Sequence, residues 1–288
     1  MRISAVALFF MMILSTFAQD VKSYRILFLG NSVFFVHGGI YQSFLGFCQS
    51  EGFNCQVISQ REQPENTHGV EFLGFGRIPN TLPEVASDKR IHTMILEGKF
   101  DYVILEARRE GYLLPDWVER PAELKAGDYI PYQQNLDALR DLHRTIVKSG
   151  AKTVLYMHPG LRDAPDWRNP VAQTYEKIRI DMVRTEIKGA HHSVLLVPAS
   201  LLWADAINRF GIDAMYIDRI HGTAIARYVS GCMIFTYLTG KDPRENNFRE
   251  LPRTWETSPD EKAVYVSKED AEWIKRQVWL YYTTRSQQ

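Results

Sequence analysis

Three residues near opposite ends of the chain have the types and the setting that nucleophilic catalysis needs. Ser32 ends the stretch Arg25-Ile-Leu-Phe-Leu-Gly-Asn-Ser32, where an apolar run stops abruptly. Asp218 and His221 lie three residues apart, just before a long segment with apolar periodicity. A serine attacks an ester when an imidazole takes its proton and a carboxylate holds that imidazole in the right tautomer. The three residues therefore predict a Ser-His-Asp hydrolytic site.

A less specific interpretation exists for each of these residues. Ser32 could end a strand as an ordinary helix N-cap, which is common in any β-α turn. Asp218 could cap the following helix, and His221 could be an exposed imidazole of the loop. The hydrolytic interpretation is favoured because the base and its carboxylate stand together where the partner of a serine would be expected.

The elements around these residues predict a sheet that brings them together. Strand patterns alternate with helical patterns from the Ser32 turn to Gly240. This alternation is typical of β-α-β units with right-handed crossovers, so we expect a three-layer α/β/α sandwich with about five parallel strands. Ligands bind at the carboxyl ends of the strands in such sheets, and Ser32 and His221 would meet there.

The pattern also predicts the bounds of the elements. After the first strand we expect further strands and helices, and then a final amphipathic helix beyond the core. The predicted strands span residues 54–58, 101–106, 152–157 and 193–197, and the helices span 41–51, 82–97, 132–148, 171–188, 201–210, 223–238 and 267–282. The polar or proline-bearing stretches 59–80, 108–131 and 163–170 are expected to be loops, and long ordered loops usually carry function.

The N-terminus has the features of a secretory signal peptide. A short basic start precedes the apolar run 5–17, which is too short for a comfortable membrane span. Thr16-Phe17-Ala18 offers small residues at the two positions that a signal peptidase reads, so residues 1–18 are predicted to be removed. We expect a secreted or periplasmic protein without stable membrane insertion, and an uncleaved anchor is the alternative.

The composition indicates one neutral globular domain. The 34 basic residues balance the 34 acidic ones, so no net charge would draw the protein onto nucleic acid. The mature chain fits a single domain over residues 19–288, with a core at about 25–240 and a helical extension at 241–288. No residues have metal-ligand spacing, so we expect no metal or other cofactor.

The chain has three cysteines, which cannot all pair internally. Export would permit a disulfide between Cys48 and Cys55. The favoured alternative is that Cys48 and Cys232 are small buried hydrophobes in helices, because both fall in apolar helical patterns.

Two motifs resemble those of a known superfamily. Gly30-Asn31-Ser32 after the first strand and Asp218-x-x-His221 before the last core helix resemble the blocks of the SGNH hydrolases, also called GDSL-like esterases and lipases. The resemblance extends over about residues 25–240. It implies a flavodoxin-like sandwich and an esterase, lipase or deacetylase that acts without metal. It also implies Ser32 as nucleophile, His221 as general base and Asp218 as the residue that orients the base.

The resemblance further implies an oxyanion hole, and here the chain departs from the family pattern. The family uses the backbone N–H of the nucleophile, a glycine N–H, here of Gly74 or Gly76, and an asparagine after the third strand. This chain has Glu106-Ala-Arg-Arg109 at the asparagine block. A carboxyl group stabilises an oxyanion only when it is protonated, so either Glu106 faces elsewhere or an arginine, Arg108 or Arg109, supplies the donor.

Other residues at the predicted edge are candidates for contact with substrate. Asn31 directly precedes the predicted nucleophile, Glu106 follows the third strand, and His158 directly follows the fourth strand. Tyr112 and Trp167 lie in the predicted loops, and their flat rings suit stacking on sugars, which favours a glycan ester. The alternatives are a histidine held by a proline turn and aromatic residues that pack an irregular insertion onto the domain.

We therefore expect a secreted serine esterase of SGNH type that cleaves a small-molecule or glycan ester, such as an O-acyl group on a carbohydrate, through an acyl-enzyme on Ser32. An acyltransferase with the same triad is a close relative of this reaction. Glu106 motivates the alternative of a catalytically impaired protein that binds a glycan or peptide. A nucleotide-binding protein is disfavoured because no glycine-rich phosphate loop follows the first strand.

Overall fold

A computed structural model describes residues 22–30, 32–35, 39–59, 70–72, 82–106, 132–157, 159, 162, 194–251 and 264–285. The strands of this part of the chain are β1 (Ser23–Leu29), β2 (Asn54–Ser59), β3 (Val70–Phe72), β4 (Tyr102–Leu105), β5 (Lys152–Tyr156), β6 (Leu195–Val197), β7 (Glu250–Leu251) and β8 (Val264–Tyr265). The α-helices are α1 (Ser32–Phe35), α2 (Gly39–Ser50), α3 (Leu82–Ser87), α4 (Lys89–Glu97), α5 (Tyr132–Ser149), α6 (Ala199–Phe210), α7 (Ile212–Met215), α8 (Ala224–Thr239) and α9 (Lys268–Arg285).

Six of the strands form one parallel sheet in the order β3-β2-β1-β4-β5-β6. Helices cover both faces, so the predicted three-layer α/β/α class is confirmed. The prediction of a loop over residues 59–80 was wrong at Val70–Phe72, which pairs with β2 as an additional edge strand. Three residues are too short for a period of two to be read from the sequence.

The strand order reverses between β1 and β4, which are neighbours in the sheet although β2 and β3 lie between them in the chain. A crevice opens at such a switch point, outside the carboxyl ends of the two strands. Ser32 follows β1 and Glu106 follows β4. Both residues therefore come from the strands that border this crevice.

The side chains of β1 divide between two hydrophobic cores because successive residues of a strand face opposite sides of the sheet. Ile26 and Phe28 pack in the core that includes α2, α6, α8 and α9. Leu27 and Leu29 pack in the opposite core, with α3, α4 and α5. All four side chains are at most 1% exposed. A strand buried on both faces reads as a continuous apolar run, which explains why β1 stands out in the sequence.

Helix α8 is buried on almost all sides and packs closely against α2. A Cβ on Gly231 would lie 2.5 Å from the Cβ of Ser43, so the two helices meet at a position that only glycine can occupy. The ring of Phe47 on α2 stacks with Phe235 on α8, with 5.6 Å between centroids. Helix α8 begins at the N-cap Thr223 and ends before Gly240, which is left-handed with φ +69°.

The C-terminal helix α9 belongs to the same hydrophobic core as α8. Ala271, Ile274 and Val278 are fully buried in it. Trp273 and Trp279 on the same helix are only partly buried. Helix α9 therefore packs in the same helical layer as α8 and is not separate from the domain core.

Two further predictions have a definite outcome. The helix expected over residues 82–97 is two helices, because Asp88 interrupts it and caps α4 by accepting from the N–H of Arg90. All three cysteines are free thiols: Cys48 and Cys232 are buried and Cys55 is partly buried. The signal peptide, the helix expected over 171–188 and the loops expected over 108–131 and 163–170 lie outside the described residues.

None of the helices within the described ranges combines the length and the apolar character that a membrane crossing requires.

Candidate active site

The turn after β1 leaves room for glycine alone at position 30. A Cβ there would come within 2.6 Å of the Phe34 ring and 2.7 Å of Glu106 Oε2. Real Cβ atoms do not approach other atoms that closely, so the turn depends on Gly30. Ser32 follows it as the first residue of α1, and only its backbone is among the described features.

Glu106 is buried beside this turn. Its side chain is 3% exposed, and its backbone N–H donates to the carbonyl of Leu29 at 3.0 Å. The carboxyl oxygen Oε2 lies against Gly30, as the 2.7 Å approach to a Cβ at that position shows. Glu106 is therefore not turned out to solvent: its carboxyl lies next to the backbone that leads into Ser32.

Asp218 and His221 form a closely bonded pair in the loop before α8. The Asp218 oxygen Oδ1 accepts from the backbone N–H groups of Ile220 and His221, both at 2.7 Å. The other oxygen, Oδ2, lies 2.6 Å from Nδ1 of the His221 ring. One carboxylate oxygen thus holds the backbone of the loop and the other holds the imidazole. The His221 side chain is 18% exposed and that of Asp218 is 49% exposed.

The charge of Asp218 decides which nitrogen of His221 carries the proton. Partial burial on its own would raise the pKa of Asp218, but the hydrogen bonds from His221 and Ile220 outweigh it and lower the pKa to about 2. The carboxylate is therefore ionised at neutral pH and can only accept a hydrogen bond. The proton of a neutral His221 ring consequently lies on Nδ1, and Nε2 is the basic nitrogen. A general base in a serine hydrolase needs this tautomer.

Several backbone contacts fix the loop that carries this pair. Tyr216 and Gly222 form an isolated antiparallel bridge, and the N–H of Ile217 donates to the carbonyl of His221 at 2.9 Å. The Tyr216 hydroxyl reaches the carbonyl of Pro159, which follows β5, at 3.4 Å. Because Pro159 lies beyond the carboxyl end of β5, this contact places the loop at the same edge of the sheet as the Ser32 turn.

One buried charged residue near this edge was missed by the sequence reasoning. Arg227 lies in the first turns of α8 and is only 6% exposed. The signal was present, because Arg227 is the single charged residue in Ala224–Thr239. An arginine in a helix is usually exposed, so its place six residues after His221 does not by itself predict burial.

The remaining predicted site residues do not lie in the described part of the chain. This holds for Asn31, Gly74, Gly76, Arg108, Tyr112, His158 and Trp167, and their roles stay predictions. The structure therefore brings together Asp218 and His221, places the Ser32 backbone and Glu106 at the switch point, and describes neither the predicted glycine donors nor the aromatic residues. Within the described ranges, no three His, Cys, Asp or Glu side chains form a group that could hold a metal ion.

A scan against protein-family models finds no match, and no curated protein matches the chain. Solved structures do match. A DUF4886 family protein from Bacteroides uniformis has a TM-score of 0.58 and 14% identity, over 91% of this chain and 95% of that one. LAE5, an alpha/beta hydrolase enzyme from the metagenome of Lake Arreo in Spain, has a TM-score of 0.49 and 14% identity, over 75% of this chain and 94% of that one.

The acetylxylan esterase Axe2 from Geobacillus stearothermophilus has a TM-score of 0.47 and 14% identity, over 80% of this chain and 97% of that one. Likeness at this level of identity bears on the fold alone. The strand order and the Bacteroides protein agree on the three-layer α/β/α architecture, and membership of the SGNH hydrolases stays a prediction.

Proposed function

We propose that the protein is a serine esterase that hydrolyses an ester through an acyl-enzyme on Ser32. The observation that carries this proposal is the Asp218–His221 pair, with 2.6 Å between Oδ2 and Nδ1, at the edge of the sheet where the Ser32 turn lies. If Asp218 only capped the following helix, its bonds to the backbone N–H groups would be sufficient. The second bond, to the ring, fixes the tautomer that a general base requires.

In the proposed reaction, Ser32 Oγ attacks the carbonyl carbon of the ester while its proton passes to Nε2 of His221. The tetrahedral intermediate collapses, and the imidazolium gives the proton to the leaving alcohol. Water then attacks the acyl-enzyme, with His221 again taking the proton, and the carboxylic acid leaves. Asp218 keeps Nδ1 protonated and stabilises the imidazolium through both steps.

The oxyanion would need at least two donors. The backbone N–H of Ser32 is the first, and the predicted second comes from Gly74 or Gly76. The Glu106 carboxyl can donate only in its protonated form, and Arg108 or Arg109 is the alternative donor of that block. Removing one such donor costs roughly 3–4 kcal/mol of barrier in a serine hydrolase, so this position strongly influences the rate.

The substrate proposed is a small-molecule or glycan ester, with an O-acyl group on a carbohydrate as the specific case, because Tyr112 and Trp167 would offer rings for stacking on a sugar. Export after cleavage of residues 1–18 is part of the same proposal, and it suits an enzyme that acts on extracellular glycans. Amino-terminal sequencing of the exported protein tests the cleavage. A mature chain that does not begin near residue 19 would contradict it.

A fluorophosphonate probe, read by intact mass, tests the mechanism without knowledge of the substrate. The probe phosphonylates serines that are activated as nucleophiles, so the wild type should gain one label and Ser32→Ala none. Ser87→Ala is the matched control, because Ser87 is exposed and its hydroxyl only caps the carbonyl of Glu84. Equal labelling of Ser32→Ala and wild type would refute the proposed nucleophile.

The burial of Glu106 favours one second candidate, a protein that has the hydrolase fold and binds a glycan or peptide without turnover. A buried carboxylate beside the Gly30 turn would repel a developing oxyanion. Glu106→Gln separates the two functions, because an amide of the same shape donates a hydrogen bond at every pH. An enzyme should keep or raise its esterase rate at pH 8 with this substitution. A folded wild type that is neither labelled nor active, and stays so as Glu106→Gln, supports the binding protein.

A further inference from the structure

Arg227 is a buried cation that the proposed reaction does not use. Its Nε–H donates to the carbonyl of Thr223 at 3.3 Å. In the part of the chain that the structure describes, no carboxylate forms an ion pair with it, and its two terminal nitrogens make no hydrogen bond. Burial lowers the pKa of Arg227 to about 10, which still leaves the guanidinium charged at neutral pH. A charge held at 6% exposure without a counter-ion is costly, unless something else satisfies it.

The guanidinium of Arg227 lies at the end of α8 that is next to the catalytic loop. Side chains four residues apart share a helix face, so Arg227 lies on the face of α8 that meets α2 at Gly231, one turn nearer to the edge. Its bond to Thr223 turns the side chain back toward the N-terminus of α8. His221 lies two residues before Thr223, so the guanidinium and the imidazole belong to the same end of this helix.

Helix α2 in turn contacts α1, which begins at Ser32. The guanidinium thus lies in the helical layer that also carries the proposed nucleophile and base. A ligand entering between Ser32 and His221 would approach the N-terminal turn of α8 from the carboxyl edge. The terminal Nη atoms of an arginine form a planar pair of donors that fits the two oxygens of a carboxylate.

We propose that Arg227 binds a carboxylate group of the substrate, so that the preferred ester is an acylated acidic sugar or another acyl compound with a free carboxylate. This inference rests on the proposed esterase function and extends it to the charge of the substrate. Arg227 supplies the positive charge, and the substrate carboxylate supplies its counter-ion. The substrate is then held at its ester group by the catalytic residues and at its carboxylate by Arg227.

The test compares two substrates that differ in one charge. Methyl glucuronoside acetylated on a ring hydroxyl has a free carboxylate, and its C6 methylamide is neutral and has the same acetyl ester. A charge-assisted pair of hydrogen bonds in a buried site is worth roughly 10- to 100-fold in binding. We expect the wild type to favour the carboxylate in kcat/KM by at least about tenfold, Arg227→Met to have a ratio near one, and Arg227→Lys to recover part of the preference.

Arg209→Met is the matched control, because Arg209 lies in α6, is exposed and forms an ion pair with Glu269. Its substrate ratio should equal that of the wild type. An unchanged ratio in Arg227→Met would overturn the inference. Strong destabilisation of Arg227→Met in urea unfolding would also overturn it, because replacing an uncompensated buried charge by a thioether should not weaken the fold.

Binding to the Ser32→Ala protein separates this inference from the proposed reaction. Calorimetric titration with the uncleaved carboxylate and methylamide measures the charge preference without turnover. Tighter binding of the carboxylate that Arg227→Met abolishes supports the carboxylate site even if the wild type hydrolyses neither ester, and then only the esterase proposal fails. Hydrolysis of both esters at equal rates, with equal binding, would refute the carboxylate site and leave the esterase.

Discussion

The division of labour between the two oxygens of Asp218 makes Asp218→Asn a sharp test of the proposed mechanism. Asparagine in the same rotamer keeps an oxygen at the Oδ1 position, where it can still accept from the N–H groups of Ile220 and His221. An amide nitrogen replaces Oδ2, 2.6 Å from Nδ1 of the ring. Two N–H donors cannot face each other, so the ring proton must move to Nε2. The loop keeps its shape while the imidazole loses its basic nitrogen.

Asp218→Asn should therefore reduce the rate strongly and the stability only slightly. The wrong tautomer lowers the rate of a serine hydrolase by about ten-thousand-fold, or about 5 kcal/mol of barrier. The cost to stability should stay below about 1 kcal/mol, because half of the Asp218 side chain is exposed and solvent screens its charge. Asp218→Ala also removes the acceptor of both backbone bonds and should lose a further ~1–2 kcal/mol, since a net hydrogen bond is worth about 1 kcal/mol.

The rate of fluorophosphonate labelling measures the first effect, and urea unfolding measures the second. Asp218→Asn and Asp218→Ala should label equally slowly, while only Asp218→Ala unfolds at clearly lower urea. NMR of ring-labelled histidine would report the tautomer directly. A labelling rate of Asp218→Asn within tenfold of the wild type, or equal stabilities of the two variants, would refute the assignment of one oxygen to the loop and the other to the base.

Three further predictions concern pH and packing. The pKa of Asp218 is about 2 in the folded protein and 3.8 in the unfolded chain, so the ionised carboxylate contributes its full stabilisation above pH 4 and loses it as the pH falls toward 2. The free energies of unfolding of wild type and Asp218→Asn, measured in urea, should therefore become equal as the pH falls over that interval. Gly30→Ala meets Glu106 Oε2 at 2.7 Å and should cost about 1–3 kcal/mol in urea and slow labelling, whereas a wild-type labelling rate contradicts the tight turn. Ser230→Ala removes the oxygen that accepts from the buried indole N–H of Trp203 at 2.9 Å and from the Tyr156 hydroxyl at 2.8 Å, and it should cost about 1–3 kcal/mol by calorimetric melting. An unchanged melting temperature would show that these two bonds contribute nothing.

The fold could be predicted largely from the sequence because its strands are buried on both sides. The four apolar residues of β1 that divide between two cores produce a continuous run that a single sequence reveals. Strand β3 could not be predicted, because its three residues are held by pairing with β2 rather than by a pattern of their own. The break at Asp88 has a local signal in the sequence, because a carboxylate often caps a helix. The apolar periodicity continues across it, however, and this predicted a single helix.

The candidate site was only partly predictable for a different reason. Asp218 and His221 are three residues apart, and local geometry can join them, so the sequence was sufficient to pair them. The environment of Glu106 depends on Gly30, 76 positions earlier in the chain, and on the exchange of strand order between β1 and β4. The burial of Arg227 depends in the same way on how closely α2 approaches α8. Tertiary contacts of this kind leave no spacing that a sequence could show.

Two buried ionisable side chains near this edge, Glu106 and Arg227, would both act on a bound substrate. Glu106 lies beside the turn that leads into Ser32, and Arg227 lies in the helix that follows His221. An ester held at the carboxyl ends of β1 and β4 would therefore have a guanidinium on one side and a carboxyl group on the other. A carboxylate on the substrate would be drawn toward Arg227 and away from Glu106. That asymmetry would orient the ester in one direction along the crevice, and inverting it with Arg227→Glu should reverse the preference between the carboxylate and the methylamide. A preference that Arg227→Glu leaves unchanged would place the origin of substrate selection outside these two side chains.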